Sequence, residues 1–472
     1  MSAEIERWDV VVVGGGPAGV AAAIEATKSG ARTLLVDKTR DPGGECVQHG
    51  TIPSKSLREC AVKLSSLRAR MHGTLDLELG PDVQVQSLMR RLDTVLPNYA
   101  RRTRERLEAV GVERLRGRAR FLDAHCLEVV EPNGSRRSLR AGHIVLATGS
   151  RPRTPPDIPV DHENVLDSDS ILSLIYLPKS LVVLGAGVIA AEFASIFAAL
   201  GVRVTMIDRH ARPLGFLDPE MADGFTRAFE AAGGTFLGNE SIARVEWDGV
   251  ASVAVELESG ERVVAEKALV ALGREAVLRG LDLERAGLET SERGLIPVDD
   301  SLCTAQPHIY AAGDVIGPPA LAAASMEQGR RAVRNALGLS TGTGAGVLPA
   351  GIYTIPEISC VGLTEAQARE QHGAVLVGRA HYADLARGQI DGHTDGLLKL
   401  IADERGERIL GAHVLGEGAS ELVHIAQLAI VAGLPVDALI ENVFNFPTLA
   451  EGYRVAALEI VRARAKQLRR AG

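Results

Sequence analysis

Two stretches of this chain repeat one another. Residues 9–37 read DVVVVGGGPAGVAAAIEATKSGARTLLVD, and residues 180–208 read SLVVLGAGVIAAEFASIFAALGVRVTMID. Each runs from a β-branched strand through a Gly-rich turn into a helix of small residues, then through a Gly into a second apolar strand ending in Asp. From the first Gly to that Asp is 23 residues in both copies, Gly14 to Asp37 and Gly185 to Asp208. A lone G-x-G-x-x-G is a weak mark. A turn that follows a strand, opens a helix and leads to an acid at this spacing predicts a dinucleotide-binding βαβ unit. The roles follow from geometry. Gly14 and Gly185 make the tight turn, Gly16 and Gly187 let the backbone approach a diphosphate, and Gly19 (Ala190 in the second copy) keeps helix and strand close. The diphosphate belongs at the helix start, beside Ile189 in the second copy, where unpaired N–H groups and the dipole favour anions. Asp37 and Asp208 are expected to accept hydrogen bonds from ribose hydroxyls.

At 472 residues the chain is long enough for about three domains of roughly 150 residues. Its 46% hydrophobic and 24% charged content is that of a globular protein and excludes a disordered chain. A net charge of −8 argues against sequence-independent nucleic-acid binding. Five scattered cysteines without a C-x-x-C pair argue against a disulfide framework and against a zinc site, so no metal is expected, and they fit a reducing, cytoplasmic setting. Gly14 to Pro17 interrupt the apolar run at the N-terminus, and Glu192 interrupts the run from Leu181 to Val202, so no membrane span is expected.

Further along, 144–152 (IVLATGSRP) and 267–274 (KALVALGR) read as buried strands running into Gly turns. Residues 309–317 (IYAAGDVIG) form another strand, followed by a helix from about Leu321. Arg101, Arg102, Arg104 and Arg106 alternate with Glu105 and Glu108, which predicts a solvated helix face. The basic tail (Arg462, Arg464, Lys466, Arg469, Arg470) is read the same way. From about Val347 the texture changes: GLLKLIAD and RILGAHVLG read as paired strands and SELVHIAQLAIVAGL as an amphipathic helix. That is an α+β unit without a Gly-rich loop, suited to an interface.

Taken together, GGGPAG, GGEC…IPSK, LATGSRP, GAGVIAAE, ALGRE and AAGDV occur in an order that resembles the FAD-dependent pyridine nucleotide–disulfide oxidoreductases over essentially the whole chain. The resemblance implies an α/β fold with two Rossmann-like dinucleotide-binding domains and a C-terminal α+β dimerisation domain. Its expected boundaries are 1–160 and 281–346 for the FAD domain, 161–280 for the NAD(P) domain and 347–472 for the dimerisation domain. It implies an obligate homodimer, on which a higher oligomer can be built. It also implies that Lys38, Gly43, Gly44, Cys46, Ala119, Thr148, Gly149, Leu321, Ala322, Gly273 and Arg274 contribute to cofactor binding. Asp314 would hold the flavin ribityl chain, and Lys55 would lie near the flavin and pair with Glu192.

The sequence departs from the disulfide enzymes at two points. The family carries two cysteines separated by four residues; here the segment runs from Cys46 to Thr51, and a hydroxyl can neither form a disulfide nor act as a thiolate donor. The family also carries a His before Pro-Thr as base, where this chain has Phe446-Pro447-Thr448. Glu451 is explained by a T-x-x-E capping box with Thr448, and Cys46 by packing. Without a disulfide route, the pattern resembles members that pass a hydride between NADPH and NAD⁺ through flavin alone, with NAD(H) and NADP(H) as substrates. Arg209 and Arg212, after Asp208, would then receive the 2′-phosphate. An NAD(P)H oxidase or quinone reductase remains the alternative. A dihydrolipoamide dehydrogenase or a flavin-bearing interaction subunit fits less well.

Overall fold

The first repeat folds as β1 (Glu6–Val13), α1 (Pro17–Lys28) and β2 (Thr33–Asp37). The computed structural model describes residues 5–71, 85–90, 92–342 and 346–471. Val10, Val11 and Val12 are fully buried, as expected of a parallel strand covered on both faces. Pro17 starts α1 at a position where its missing N–H costs nothing. Ala18, Gly19, Ala22, Ala23 and Ala26 form the buried face of α1.

The chain divides into two compact units. The first gathers three separated segments, Met1–Ser56, Gln86–Arg153 and Gly273–Gly344. Its sheet continues with β3 (Glu113–Arg116), β4 (Arg118–Asp123), β5 (Cys126–Val130) and β6 (Arg136–Leu146). The order is β3-β2-β1-β6-β5-β4, with Ile309–Ala311 also pairing parallel to the end of β6. The chain therefore leaves β1 toward β2 on one side and returns to β6 on the other, a switch point at the carboxyl end of β1. Helix Ala322–Ala336 lies against α1, so closely that a Cβ on Gly329 would sit 2.0 Å from the Ala18 carbonyl oxygen.

The second unit comprises Leu57–Val85, Thr154–Leu272 and Ala345–Gly472. Its parallel sheet repeats the plan: Thr235–Gly238, Arg203–Asp208, Ser180–Leu184, Lys267–Val270 and Val165–Leu166, in that order. The segment from Ala345 adds a five-stranded antiparallel sheet in which Leu397–Asp403 pairs with Ile409–Leu415. Helices Ala419–Val431 and Glu451–Ala471 supply residues to the core of this sheet. No helix among the described residues is long and apolar enough to cross a membrane.

Candidate functional site

In the first unit, three loops emerge side by side at the carboxyl ends of parallel strands. The Ala147 N–H donates to Val13 O at 2.8 Å, and the Ala312 N–H donates to Leu146 O at 3.0 Å. Gly14 leads the first loop with φ +111°, and a Cβ there would sit 2.2 Å from the Ala147 carbonyl oxygen. A Cβ on Gly19 would lie 1.7 Å from Gly14 O, which is why this helix position has no side chain. No side chain caps α1 at Gly16, so its first N–H groups are left for an anion. The turn is roofed by the next Gly pair: the Gly43 N–H donates to Gly15 O at 2.7 Å, and a Cβ on Gly44 would lie 2.8 Å from Gly16 Cα.

Asp37 ends β2 facing this turn. Its Oδ2 accepts from the Gly15 N–H, and its Oδ1 accepts from the Thr39 N–H and hydroxyl, both at 2.7 Å. Asp208 is held in the same way in the second unit. Its Oδ2 accepts from the Ala186 N–H at 2.9 Å, and its Oδ1 meets the His210 N–H at 2.8 Å and ring Nδ1 at 2.7 Å. The repeat thus extends to hydrogen bonds, with an imidazole in place of the hydroxyl. Lys38 is exposed beside Asp37. Ala119 is 7% exposed with its side chain in the core, so only its backbone is available to a ligand.

Helix Thr51–Met71 begins at the expected segment. Cys46 forms no disulfide and is partly buried. Burial raises its thiol above the ordinary 9.0, against the opposing hydrogen bond to Thr51 and the charge of Lys55. The Lys55 ammonium lies 3.4 Å from Ser54 Oγ.

Beyond Thr148 and Gly149, Ser150 joins residues far apart in sequence. Its hydroxyl donates to Asp314 at 2.6 Å, while Arg274 bonds Ser150 Oγ at 2.8 Å and Ser150 O at 2.9 Å. Asp314 and Arg274 were expected to bind cofactor; Ser150, which links them, stands in the same LATGSRP motif as Thr148 and Gly149 but was given no role. Gly273 is exposed at φ +106°. The Thr148 hydroxyl oxygen is buried and has no hydrogen-bond partner among the described residues. Leu321 is the N-cap of helix Ala322–Ala336, and no side chain caps it. An orphaned hydroxyl, a Gly cradle and two uncapped helix starts are what a bound dinucleotide would complete, so these residues fit FAD.

The second unit carries the other Gly turn. Gly185 has φ +104°, and Gly187 caps helix Val188–Ala199 without a side-chain bond. Ile189 lies in that helix's first turn. Glu192, 5% exposed, accepts from the Tyr353 N–H at 2.9 Å, and Ser195 Oγ accepts from the Ile355 N–H at 3.1 Å. Residues 351–359 (GIYTIPEIS) thus anchor the helix, a role their sequence did not disclose. Arg209 is exposed. Arg212 is held by Asp223 at 2.7 Å, so any phosphate it receives must compete with that carboxylate.

Two expectations need correction. The capping box forms only in half: the Thr448 N–H reaches Glu451 at 3.4 Å, but the Thr448 hydroxyl donates to Asn445 O instead of accepting. Arg464 is not a solvated tail charge, because Asp437 takes its guanidinium at 2.8 and 2.7 Å. A buried cation the sequence did not mark is Arg58, 4% exposed and bonded to Thr354 O at 2.9 Å and Glu357 at 3.0 Å. Phe446 is 76% exposed.

A family model described as pyridine nucleotide-disulphide oxidoreductase matches residues 8–329, and the dimerisation domain of that family matches 348–457. The chain is 40% identical over 458 residues to a protein named soluble pyridine nucleotide transhydrogenase from Mycobacterium bovis, covering 97% of this chain and 98% of that one. A protein of the same name from Escherichia coli is 39% identical over 461 residues, covering 96% and 97%. Among solved structures, LpdA from Mycobacterium tuberculosis superposes with a TM-score of 0.88 at 27% identity, covering 96% of this chain and 99% of that one. The HOCl-induced flavoprotein disulfide reductase RclA from Escherichia coli gives 0.84 at 27% identity, covering 95% and 99%.

Proposed function

Because the chain belongs to the pyridine nucleotide–disulphide oxidoreductase family, we propose that this oxidoreductase transfers a hydride from NADPH to NAD⁺, and in reverse, without a redox-active disulfide. Bound FAD supplies the two-electron store that connects the two nucleotides. The observation that carries the reading is the Thr51 hydroxyl beside the Cys46 thiol, in a chain with two dinucleotide turns. Electrons have no second sulfur at that place to move to.

In this reading the protein's own groups bind and orient. The start of α1 and the Gly43–Gly44 roof hold the FAD diphosphate, and Asp37 takes its ribose. Asp314, steadied by Ser150 and Arg274, takes the ribityl hydroxyls. The uncapped start of helix Ala322–Ala336 would offer its N–H groups to negative charge on a bound, reduced flavin. In the second unit the turn at Gly185–Gly187 holds the nicotinamide nucleotide's diphosphate and Asp208 its ribose. Arg209 offers the 2′-phosphate a cation with no carboxylate partner among the described residues, whereas Arg212 must first leave Asp223. The dimer assembles through residues 348–457, where the apolar side chains of Leu428, Val431, Val443 and Phe446 are exposed in the single chain.

Stopped-flow mixing tests the reading. NADPH should bleach the flavin absorbance of the holoenzyme, and NAD⁺ should restore it faster than oxygen or a quinone does. No bleaching by NADPH would reject the reading outright, and faster return with oxygen or a quinone would replace it with the oxidase or quinone reductase. In the same assay Arg209→Ala should raise the NADPH concentration needed by roughly tenfold, as for one charge-assisted hydrogen bond. The NADH dependence should be unmoved.

A further inference from the structure

The second unit contains an ionic cluster, buried at its Lys399–Asp218 centre and partly exposed at its rim, that the reaction does not use. Lys399, 3% exposed on strand Leu397–Asp403, has its ammonium 2.9 Å from Asp218, 3.1 Å from Glu220 and 2.9 Å from Glu365. Arg379 bonds both oxygens of Glu220 at 2.8 and 3.0 Å, and Arg369 holds the other oxygen of Glu365 at 2.7 Å. Three carboxylates thus face three cations. Burying the central Lys399–Asp218 pair gains little stability over apolar side chains of the same volume, whereas removing one of the two is costly. That asymmetry suits an element whose task is to fix an orientation.

The chain on the far side of Asp218 identifies what is oriented. Fully buried Asp218 caps helix Pro219–Ala231 through the Glu220 N–H at 3.1 Å, and its other oxygen accepts from the Glu365 N–H at 3.1 Å. Residues 209–217 form the loop between Asp208 and this cap. Leu217 N–H donates to Leu214 O at 2.9 Å, and Leu214, 1% exposed at φ +52°, donates its N–H to Ala186 O in the Gly-rich turn at 2.8 Å. A contiguous path therefore runs from Lys399 through Asp218 and the loop to the turn.

We propose that Lys399 is a positioning residue for nucleotide binding, holding loop 209–217 against the Gly185–Gly187 turn through Asp218. The proposal rests on the reading of that turn as the nicotinamide nucleotide site. Lys399 touches no nucleotide; it sets where the loop lies, for NADH and NADPH alike.

The test uses Asp218→Asn in the holoenzyme. Asn still caps the helix through its oxygen but gives up the charge facing Lys399 and, with an amide NH2 in place of the second oxygen, the bond from the Glu365 N–H. The concentration of NADH and of NADPH for half-maximal flavin reduction should rise together by roughly fivefold, with the limiting rate changed less than about twofold. Asp437→Asn, which breaks the Arg464 pair in the same unit, is the control for stability alone. A melting temperature lowered in both variants with nucleotide dependence unmoved would overturn the proposal, as would a loss confined to NADPH. If Asp218→Asn does not fold, Glu365→Gln, at a side chain 23% exposed, gives the same readout with a smaller shift. If only one nucleotide reduces the natural protein, the transhydrogenase reading fails while the proposal is still decided with that nucleotide. Reduction by neither overturns both.

Discussion

Burial lifts the Cys46 thiol above its ordinary 9.0, so at neutral pH it is a poor nucleophile, and the Thr51 hydroxyl beside it cannot be oxidised to a disulfide. Cys46→Ser should therefore reduce flavin bleaching by NADPH less than about threefold, since only a packing contact changes. Two-electron reduction of the natural protein should produce no long-wavelength thiolate–flavin band. A tenfold loss in the variant, or a clear band in the natural protein, would return Cys46 to the chemistry. Thr51 was legible because it stands in a motif at fixed spacing. Ser150 and Lys399 were not, because their partners lie 164 and 181 residues away along the chain and no local pattern joins them.

The βαβ elements were legible because turn, helix and strand lie within thirty residues and each has its own composition. The paired strands Leu397–Asp403 and Ile409–Leu415 were legible for the same reason. What local pattern withheld was closeness between elements, such as the Gly329 contact with the Ala18 carbonyl that lets two helices touch at backbone distance. Nor could pattern show how a box closes. Thr448 and Glu451 have the right spacing, yet the hydroxyl turns back to Asn445. Gly19 allows an element-scale prediction. A methyl there would overlap the Gly14 carbonyl oxygen at 1.7 Å. Gly19→Ala should destabilise the first unit by about 3 kcal/mol, the upper range of overpacking, and release flavin on gel filtration. A variant that keeps its flavin and its urea midpoint would show that the helix can retreat without cost.

Across the whole molecule, the buried groups of the second unit predict an acid-side loss of stability in two stages. Burial lowers the His413 imidazole below its ordinary 6.5, its Nε2 bonded to Leu363 O at 3.0 Å. A lowered value means the folded state binds fewer protons than the unfolded one, so stability is full above pH 6.5 and falls as pH drops toward the folded value. Asp218 follows. Burial would raise it, but Lys399 and the Glu365 N–H outweigh burial and hold it below 3.8, so its contribution is lost only below that pH. Thermal midpoints should be level from about pH 7 to 8 and decline below about 6.5. His413→Gln should flatten the first stage alone, and an unchanged slope in that variant would assign the decline elsewhere. The threefold division of the first unit bears on how the protein is made. Between the end of β6 and its neighbour Ile309–Ala311 lie 162 residues, so the second strand is made about 10–30 s after the first at ordinary translation rates. During that interval the nascent flavin unit presents an open strand edge and lacks Asp314 and the helix that follows. If Asp314 holds the ribityl chain as proposed, cofactor loading waits for that last strand and is a late event in biogenesis, after every other strand of the sheet has been made.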